Sequence, residues 1–275
     1  MKIRTYLVKH LLVFLLLVAM LACDDKEDYT LPADLRMQFE LDDQAVLNGA
    51  LSVEYLSINI ASIDIEGYRE VGEDIFFTRN FSEGKKFILN YASVPDNETL
   101  SFDVPQGIYN PFFFSLNFIA DEDQEDFIED IEEWYQNIEE DEMSLEELQE
   151  ELGDIIEDYL EDVESNFMLK GQYVRNQEQY NFIFVINDLN VFKIRAKNKN
   201  GDPEIALKKD IINKGRMVFN PSYWFSAISP AMIDDAHIGT IDGEKYIFLH
   251  KHINSQIYTT VFNRIEESVN LIINE

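Results

Sequence analysis

Hydrophobic and polar residues alternate over much of this chain, and the alternation predicts strands. Leu35, Met37, Phe39 and Leu41 point one way; Leu51, Val53 and Tyr55 repeat the pattern, and Leu56, Ile58 and Ile60 continue it on the opposite parity. Ile63 and Ile65 resume after Ala61-Ser62, where the period slips by one residue and a bulge is expected. Further strands are expected from Asp74 to Asn80, Lys86 to Tyr91, Thr99 to Val104 and Ile108 to Phe118. Turn residues punctuate them at Glu66-Gly67, Ser82-Glu83-Gly84, Pro95-Asp96-Asn97 and Pro105-Gln106-Gly107, intervals that suit an antiparallel β-sandwich of hairpins and meanders. Past Asn166 the pattern returns in Phe167 to Val174, Tyr180 to Asn187 and Val191 to Lys197. Asn200-Gly201 then reads as a hairpin turn into Glu204 to Lys208, and Arg216 to Asn220 as a short strand ending at Pro221.

Two stretches have helical period instead. In the first, Phe127, Ile131, Trp134, Tyr135 and Ile138 form one apolar stripe, and Leu145, Leu148, Leu152, Ile155, Tyr159 and Val163 form another. Ser144 and Glu147 have capping-box spacing and open the second helix. The expectation is a helical hairpin inserted into the sandwich, its stripes facing each other or the sheet. The second stretch is a C-terminal helix from Gln256 to Ile273, capped by Asn254 or Ser255, with Ile257, Val261, Ile265, Val269 and Ile272 on its packing face. The reading divides the chain into residues 1–22, 23–34, 35–120, 121–165 and 166–275, and leaves open whether the two β-rich parts make one sandwich or two.

Charge changes the picture of the hairpin. Residues 121–165 hold 23 acidic residues and no Lys or Arg. A solvated helical surface explains so many carboxylates, and so does an arm that meets a basic partner. A calcium loop is a third explanation, because Asp121, Asp123, Glu125 and Glu132 fall at the first, third, fifth and twelfth offsets. The loop position that needs glycine is Asp126, however, and Phe127 already begins a helical stripe. A di-iron bundle needs histidines that this stretch lacks.

The amino-terminal residues set the expected location. Lys2, Arg4, Lys9 and His10 form a basic head, and Leu11 to Ala22 is an unbroken apolar run of twelve. A bilayer-spanning helix takes roughly 20 apolar residues, so this run reads as a secretory signal that ends in a small residue. Met20-Leu21-Ala22-Cys23 resembles the lipobox of bacterial lipoproteins, with Met20 where the family usually has Leu. The resemblance implies cleavage between Ala22 and Cys23, lipid on Cys23, and anchoring to a membrane through that lipid. Cys23 is the only cysteine, so no disulfide competes for it. Two or three acyl chains hold a protein durably where one is marginal.

Asp24-Asp25-Lys26-Glu27-Asp28 then forms an acidic tether. It reads as a solvated spacer, and it resembles the cluster behind the lipidated cysteine of Bacteroidetes lipoproteins that reach the outer face of the outer membrane. In enteric bacteria an Asp directly after the cysteine resembles an inner-membrane retention mark, so both a surface-exposed and a periplasm-facing location stay open. Ile58 to Glu66, followed by Val104-Pro105-Gln106-Gly107-Ile108-Tyr109 ahead of a long aromatic strand, is similar to an uncharacterised sandwich domain of bacterial lipoproteins described as prealbumin-like. That resemblance covers roughly residues 35 to 118, with a weaker echo after Asn166.

Removing Lys2, Arg4 and Lys9 with the signal leaves 19 basic against 53 acidic residues, a formal charge of −34 on 253 residues. Nucleic acid is then not an expected partner, since the sequence shows no cluster of Lys and Arg to bind phosphates. His250 and His252 lie two apart in Tyr246 to Ile253, where a strand would project both to one face. Zinc would want more ligands than His237 can add, so no metal site is assigned. Tyr223, Trp224 and Phe225 offer either a sugar-stacking platform or core anchors, and alternation allows at most two on one face. No nucleophile elbow, phosphate loop, dinucleotide fingerprint or His-Glu-x-x-His helix is present, so neither catalysis nor a cofactor is expected. The sequence therefore points to a lipid-anchored envelope protein acting as a binding or structural module. Alternatives are a fimbrial or surface-layer subunit and a solute-capturing partner of an outer-membrane transporter.

Overall fold

A computed structural model describes residues 30–90, 99–119, 125–140, 143–162, 166–187 and 191–274. The expected signal peptide, Ala22, Cys23, the acidic residues Asp24 to Asp28, the Pro95-Asp96-Asn97 turn, and Asp121 and Asp123 of the calcium-loop spacing lie outside the described residues.

Nineteen residues of β2 (Leu51–Arg69) are the spine of the sheet. Along one edge β2 pairs antiparallel with β3 (Ile75–Leu89). Along the other it pairs first with β6 (Phe167–Arg175), from Leu51 to Ile58, and then with β5 (Gly107–Phe118), from Ile60 to Arg69. β5 and β6 thus run end to end in one direction, with Phe118 opposite Ile60 and Phe167 opposite Ile58. The next track repeats the arrangement: β7 (Glu178–Ile186) lies antiparallel on β6, and β8 (Val191–Asn198) lies antiparallel on β5. β9 (Ile205–Leu207) continues the line of β8 along β5.

The alternation explains why these residues form these strands, and its slips are structural. The parity of buried residues on β2 changes between Val53 and Leu56 and again between Ile60 and Ile63. Register shifts fall at Val53/Tyr55 and at Ile60/Ser62. A bulge adds one residue without breaking the strand, so each shift returns the apolar set to the core face. The expected bulge at Ala61-Ser62 is therefore present. The expected turn at Ser82-Glu83-Gly84 is not a strand end: β3 runs through it, and Phe81 to Gly84 bulge opposite Ala61.

The remaining strands make the sheet mixed, where local alternation had predicted an antiparallel one. β12 (Glu244–Leu249) lies parallel to β7, β13 (Asn270–Ile273) parallel to β8, and β1 (Pro32–Leu41) parallel to β10 (Asn213–Phe219). β11 (Ile238–Ile241) closes one edge on β12 and β4 (Leu100–Pro105) the other on β1. Parallel partners need long crossovers, and here they are remote in sequence, which alternation cannot register. For the same reason Pro105-Gln106-Gly107 does not close a hairpin. β4 pairs with β1 at the sheet edge, and β5 pairs inside it with β2 and β8. Asn200-Gly201 likewise sits in an excursion between β8 and β9, held by Asn198, whose Oδ1 accepts from the N–H groups of Asn200 and Asp202 at 2.9 and 3.1 Å.

The sheet curls so that its edge meets its middle. Phe39 of β1 lies 4.5 Å from Phe87 of β3, and Phe102 of β4 lies 5.5 Å from Phe114 of β5, ring centroid to centroid. The main core fills the enclosed face with side chains from before and after the hairpin, among them Leu35, Ile58, Phe114, Phe167, Phe184 and Phe219.

Among the described residues five α-helices complete the fold: α1 (Glu125–Glu140), α2 (Leu145–Asp162), α3 (Pro221–Trp224), α4 (Pro230–Asp234) and α5 (Ser255–Ser268). α5 is shorter than its apolar period implied. Ile257, Val261 and Ile265 face the core as expected, but Val269 has extended φ/ψ of −65° and 118°, and Ile272 belongs to β13. An apolar residue every third or fourth position cannot reveal where a helix hands over to a strand of the same composition.

Candidate functional site

The hairpin of α1 and α2 sits on the outer face of the sheet, opposite the main core. Strand β7 shows how: Phe182, Phe184 and Ile186 point into the core, while Ile183 and Val185 point to the hairpin. Phe127, Ile131 and Trp134 from α1 and Leu152, Ile156 and Tyr159 from α2 meet them there, with Phe248 and Ile253. Of the sequence alternatives, the stripes therefore face both each other and the sheet. The α2 stripe is rotated from its expected position, since Ile156 is fully buried, Ile155 half-buried and Leu145 exposed.

Glycine lets α2 lie directly on β11. A Cβ built at Gly153 would collide with the Thr240 carbonyl, and one at Gly239 would come within 3.1 Å of the Gly153 nitrogen. Hydrogen bonds fix the rest of the hairpin. Trp134 Nε1 donates to the Leu148 carbonyl at 2.9 Å, and Asn137 Nδ2 donates to Glu151 Oε1 at 3.1 Å, tying α1 to α2. The capping box expected at the start of α2 is present, Ser144 N–H donating to Glu147 Oε2 at 2.8 Å and Glu147 N–H to Ser144 Oγ at 3.3 Å. The bond from the Ser144 backbone holds the Glu147 carboxyl below its ordinary range.

Buried polar groups stitch the hairpin to the seam where β5 gives way to β6. Asn187 Nδ2 donates to the Tyr159 hydroxyl, Asn166 Nδ2 to the Asn187 carbonyl at 2.8 Å, and the Asn59 N–H to the Asn166 carbonyl at 2.7 Å. Sequence reasoning missed these asparagines, because an Asn beside a strand reads as turn chemistry until its burial is known.

His250 is a second joint between hairpin and body. Rather than projecting from a strand, it follows β12 in a tight turn in which His250 and Ile253 exchange backbone hydrogen bonds. Its ring packs 4.9 Å from Phe127 and 5.4 Å from Tyr159, and burial pushes its pKa down to about 3. The His252 ring lies 5.4 Å away. His237 is elsewhere, edge-on to Trp134 at 5.0 Å and to Tyr135 at 5.6 Å, and burial lowers its pKa too. Asn254 clamps its backbone, accepting from the His237 N–H at 2.7 Å and donating to the His237 carbonyl at 3.0 Å. The three histidines thus do not converge, and among the described residues no group of three or more His, Cys, Asp or Glu is placed to hold a metal.

A surface cleft of about 370 Å³ opens beside His237, lined also by Tyr135, Met232, Asp235, Asn254 and Gln256. Two of the aromatic trio resolve as core: Trp224 and Phe225 are fully buried, and Trp224 Nε1 donates to Ser268 Oγ at 2.5 Å. Tyr223 stays exposed under the Arg264 guanidinium, 4.2 Å from its ring centroid.

What the hairpin offers outward is charge. α1 and α2 carry 17 acidic residues in 34 positions, with no Lys or Arg, and of those whose side chains are described all but Glu151 are exposed. No described helix is long and apolar enough to cross a membrane. Comparisons with protein-family models, with curated proteins and with solved structures found no match for the chain.

Proposed function

We propose that this protein is a lipid-anchored, non-catalytic binding module of the cell envelope, held by acyl chains on Cys23, with the hairpin as its binding surface. The observation that carries this reading is the division of labour within α1 and α2. Apart from Leu145 their apolar residues pack against one another and against β7, β11 and β12, and the outward face is otherwise polar and anionic on a support fixed by Gly153 against Thr240. Preorganised charge on a rigid element steers and orients a cationic partner at no ordering cost. The proposed relationship to prealbumin-like sandwich lipoproteins, and an outer-membrane location, rest on the residues quoted above.

Two measurements test the reading. Mass spectrometry of the native protein should find residues 1–22 removed and acyl chains on Cys23; an unmodified thiol ends the anchor. Pull-downs from envelope extracts should recover a partner with the native hairpin, and lose it when Glu129, Asp130, Glu133, Glu150 and Asp154 become amides. Equal recoveries remove the hairpin from the function. Charge is removed here rather than the whole hairpin, because deletion would uncover Ile183, Val185, Phe248 and Ile253.

A further inference from the structure

The expected absence of a basic cluster does not hold: Lys193, Arg195, Lys197 and Lys199 already alternate in the sequence, and the sheet gathers more bases beside them. On β8, Lys193, Arg195 and Lys197 are exposed while Phe192, Ile194 and Ala196 enter the core. Register then aligns the strands. Lys197 stands beside Ile272 of β13, Ile272 beside Arg216 of β10, and Lys214 beside Arg36 of β1. Six bases thus share one outer face in a chain with 53 acidic and 22 basic residues. Carboxylates hold them in place, Asp34 and Glu40 from within the same face on β1 and Glu66 from β2 beside it. Lys193 Nζ meets Glu66 Oε1 at 2.7 Å, Arg216 NH1 meets Glu40 Oε2 at 3.3 Å, and Arg36 Nε meets Asp34 Oδ2 at 2.9 Å. These pairs are exposed, with 38 to 48% of each basic side chain accessible, and such solvent-screened pairs add little to stability, so exchange for another carboxylate costs little.

We propose that this face of β8, β13, β10 and β1 docks the acidic hairpin of a second copy of the same chain. Charge complementarity identifies the occupant, since the hairpin is the one long described stretch that is acidic without a single base. Size agrees with charge. The 18 residues of α2 span roughly 27 Å, and two helices side by side about 20 Å. The five neighbouring strands from β5 to β1 span about 19 Å at the usual 4.8 Å spacing. Such a patch covers roughly 500 Å² on each partner, at the low end for specific contacts, so affinity is weak and depends on crowding at a membrane. Hairpin and basic face are different surfaces, so the contact is heterologous and leaves the pair with one free hairpin and one free face for further growth. This inference rests on the hairpin being a binding surface and names its partner.

Sedimentation velocity of the pure, detergent-solubilised full chain tests it without any other envelope protein. At about 0.1 M salt the native protein should form species larger than the monomer that grow with concentration, and these should vanish at about 1 M, where the screening length falls from about 10 to about 3 Å. Two variants then separate the surfaces: one with Lys193→Glu, Arg195→Glu and Lys197→Glu, the other with the five hairpin amides above. Each alone should be monomeric. Mixed, they should give a dimer that stops there, because one retains the hairpin and the other the face. That recovery also shows both variants are folded. A native protein that stays monomeric, a reversed-face variant that still associates, or a mixture that does not combine overturns the proposal. If instead the pull-down above succeeds with a different protein while the pure chain stays monomeric, the hairpin remains a binding surface and only the identity of its partner fails.

Discussion

The hairpin and α5 pack on opposite faces of the same strands, and they solve the problem of amphipathicity differently. α5 sends Ile257, Tyr258, Val261 and Ile265 into the main core. Its outward side is mixed: Thr259, Thr260, Asn263, Arg264, Glu266 and Glu267. Arg264 is put to structural use, donating to the Tyr223 carbonyl at 3.0 Å and to Ser226 Oγ at 2.8 Å. The hairpin buries a comparable apolar face but repeats carboxylates three and four residues apart, an arrangement that weakens helices. Glycine contact, capping and an asparagine seam offset that repulsion. That contrast, with no Lys or Arg on the hairpin to relieve the repulsion, is why the hairpin and not α5 is proposed as the binding surface.

Core truncations separate the two faces most strongly. Phe184→Ala on the α5 side and Phe248→Ala on the hairpin side should each cost about 3 to 5 kcal/mol in denaturant unfolding. Hydrogen exchange should show the first loosening the whole sheet and the second chiefly α1 and α2; identical exchange patterns would mean that hairpin and body unfold as one unit. Next in size, Gly153→Val should lose roughly 1 to 3 kcal/mol by forcing α2 off β11, with protection lost in the hairpin while α5 keeps its own. If α5 loosens equally, the faces are not independent.

Acid should strain the joint between them. The His250 pKa falls from 6.5 unfolded to about 3 folded, so the unfolded chain takes up the proton first. Stability from this group is complete above pH 6.5 and drains as pH falls toward 3, by about 2 kcal/mol at pH 5. His237 adds in the same direction. A His250→Phe variant should flatten that dependence between pH 7 and 5, and an unchanged slope would assign it to other groups. Ser144→Ala should cost about 1 kcal/mol, seen as faster exchange in the first turn of α2. Smallest of all, Glu133→Gln removes a like-charge neighbour of Glu129 and should stabilise by about 0.2 to 0.5 kcal/mol at low salt, fading as salt rises.

Local chemistry was legible in the sequence, and long-range pairing was not. Alternation located most strands, though neither β11 nor β13, which lies inside the expected C-terminal helix, and the slip at Ala61-Ser62 marked a bulge because parity is a property of adjacent residues. Ser144 and Glu147 could be read as a cap for the same reason. The parallel partners of β1, β7 and β8 could not be read, since each lies across the chain from its mate. Half of the basic face could be read, since Lys193, Arg195 and Lys197 alternate along one expected strand; the other half could not, because Lys197, Arg216 and Arg36 are neighbours only through register. His250 read as one of a strand or edge pair with no metal assigned, because spacing says nothing of burial, and burial makes it a neutral ring among Phe127, Tyr159 and Phe248.

Because β5 stops opposite Ile60 and β6 starts opposite Ile58, the hairpin leaves and rejoins a single line of chain at almost the same place. Loop closure depends only weakly on the length of the excursion. The seam therefore acts as a port: another segment fitted between Phe118 and Phe167 would disturb no strand register, provided it brings its own apolar cover for Ile183, Val185 and Phe248. The sheet could exchange what it displays while its scaffold stays the same.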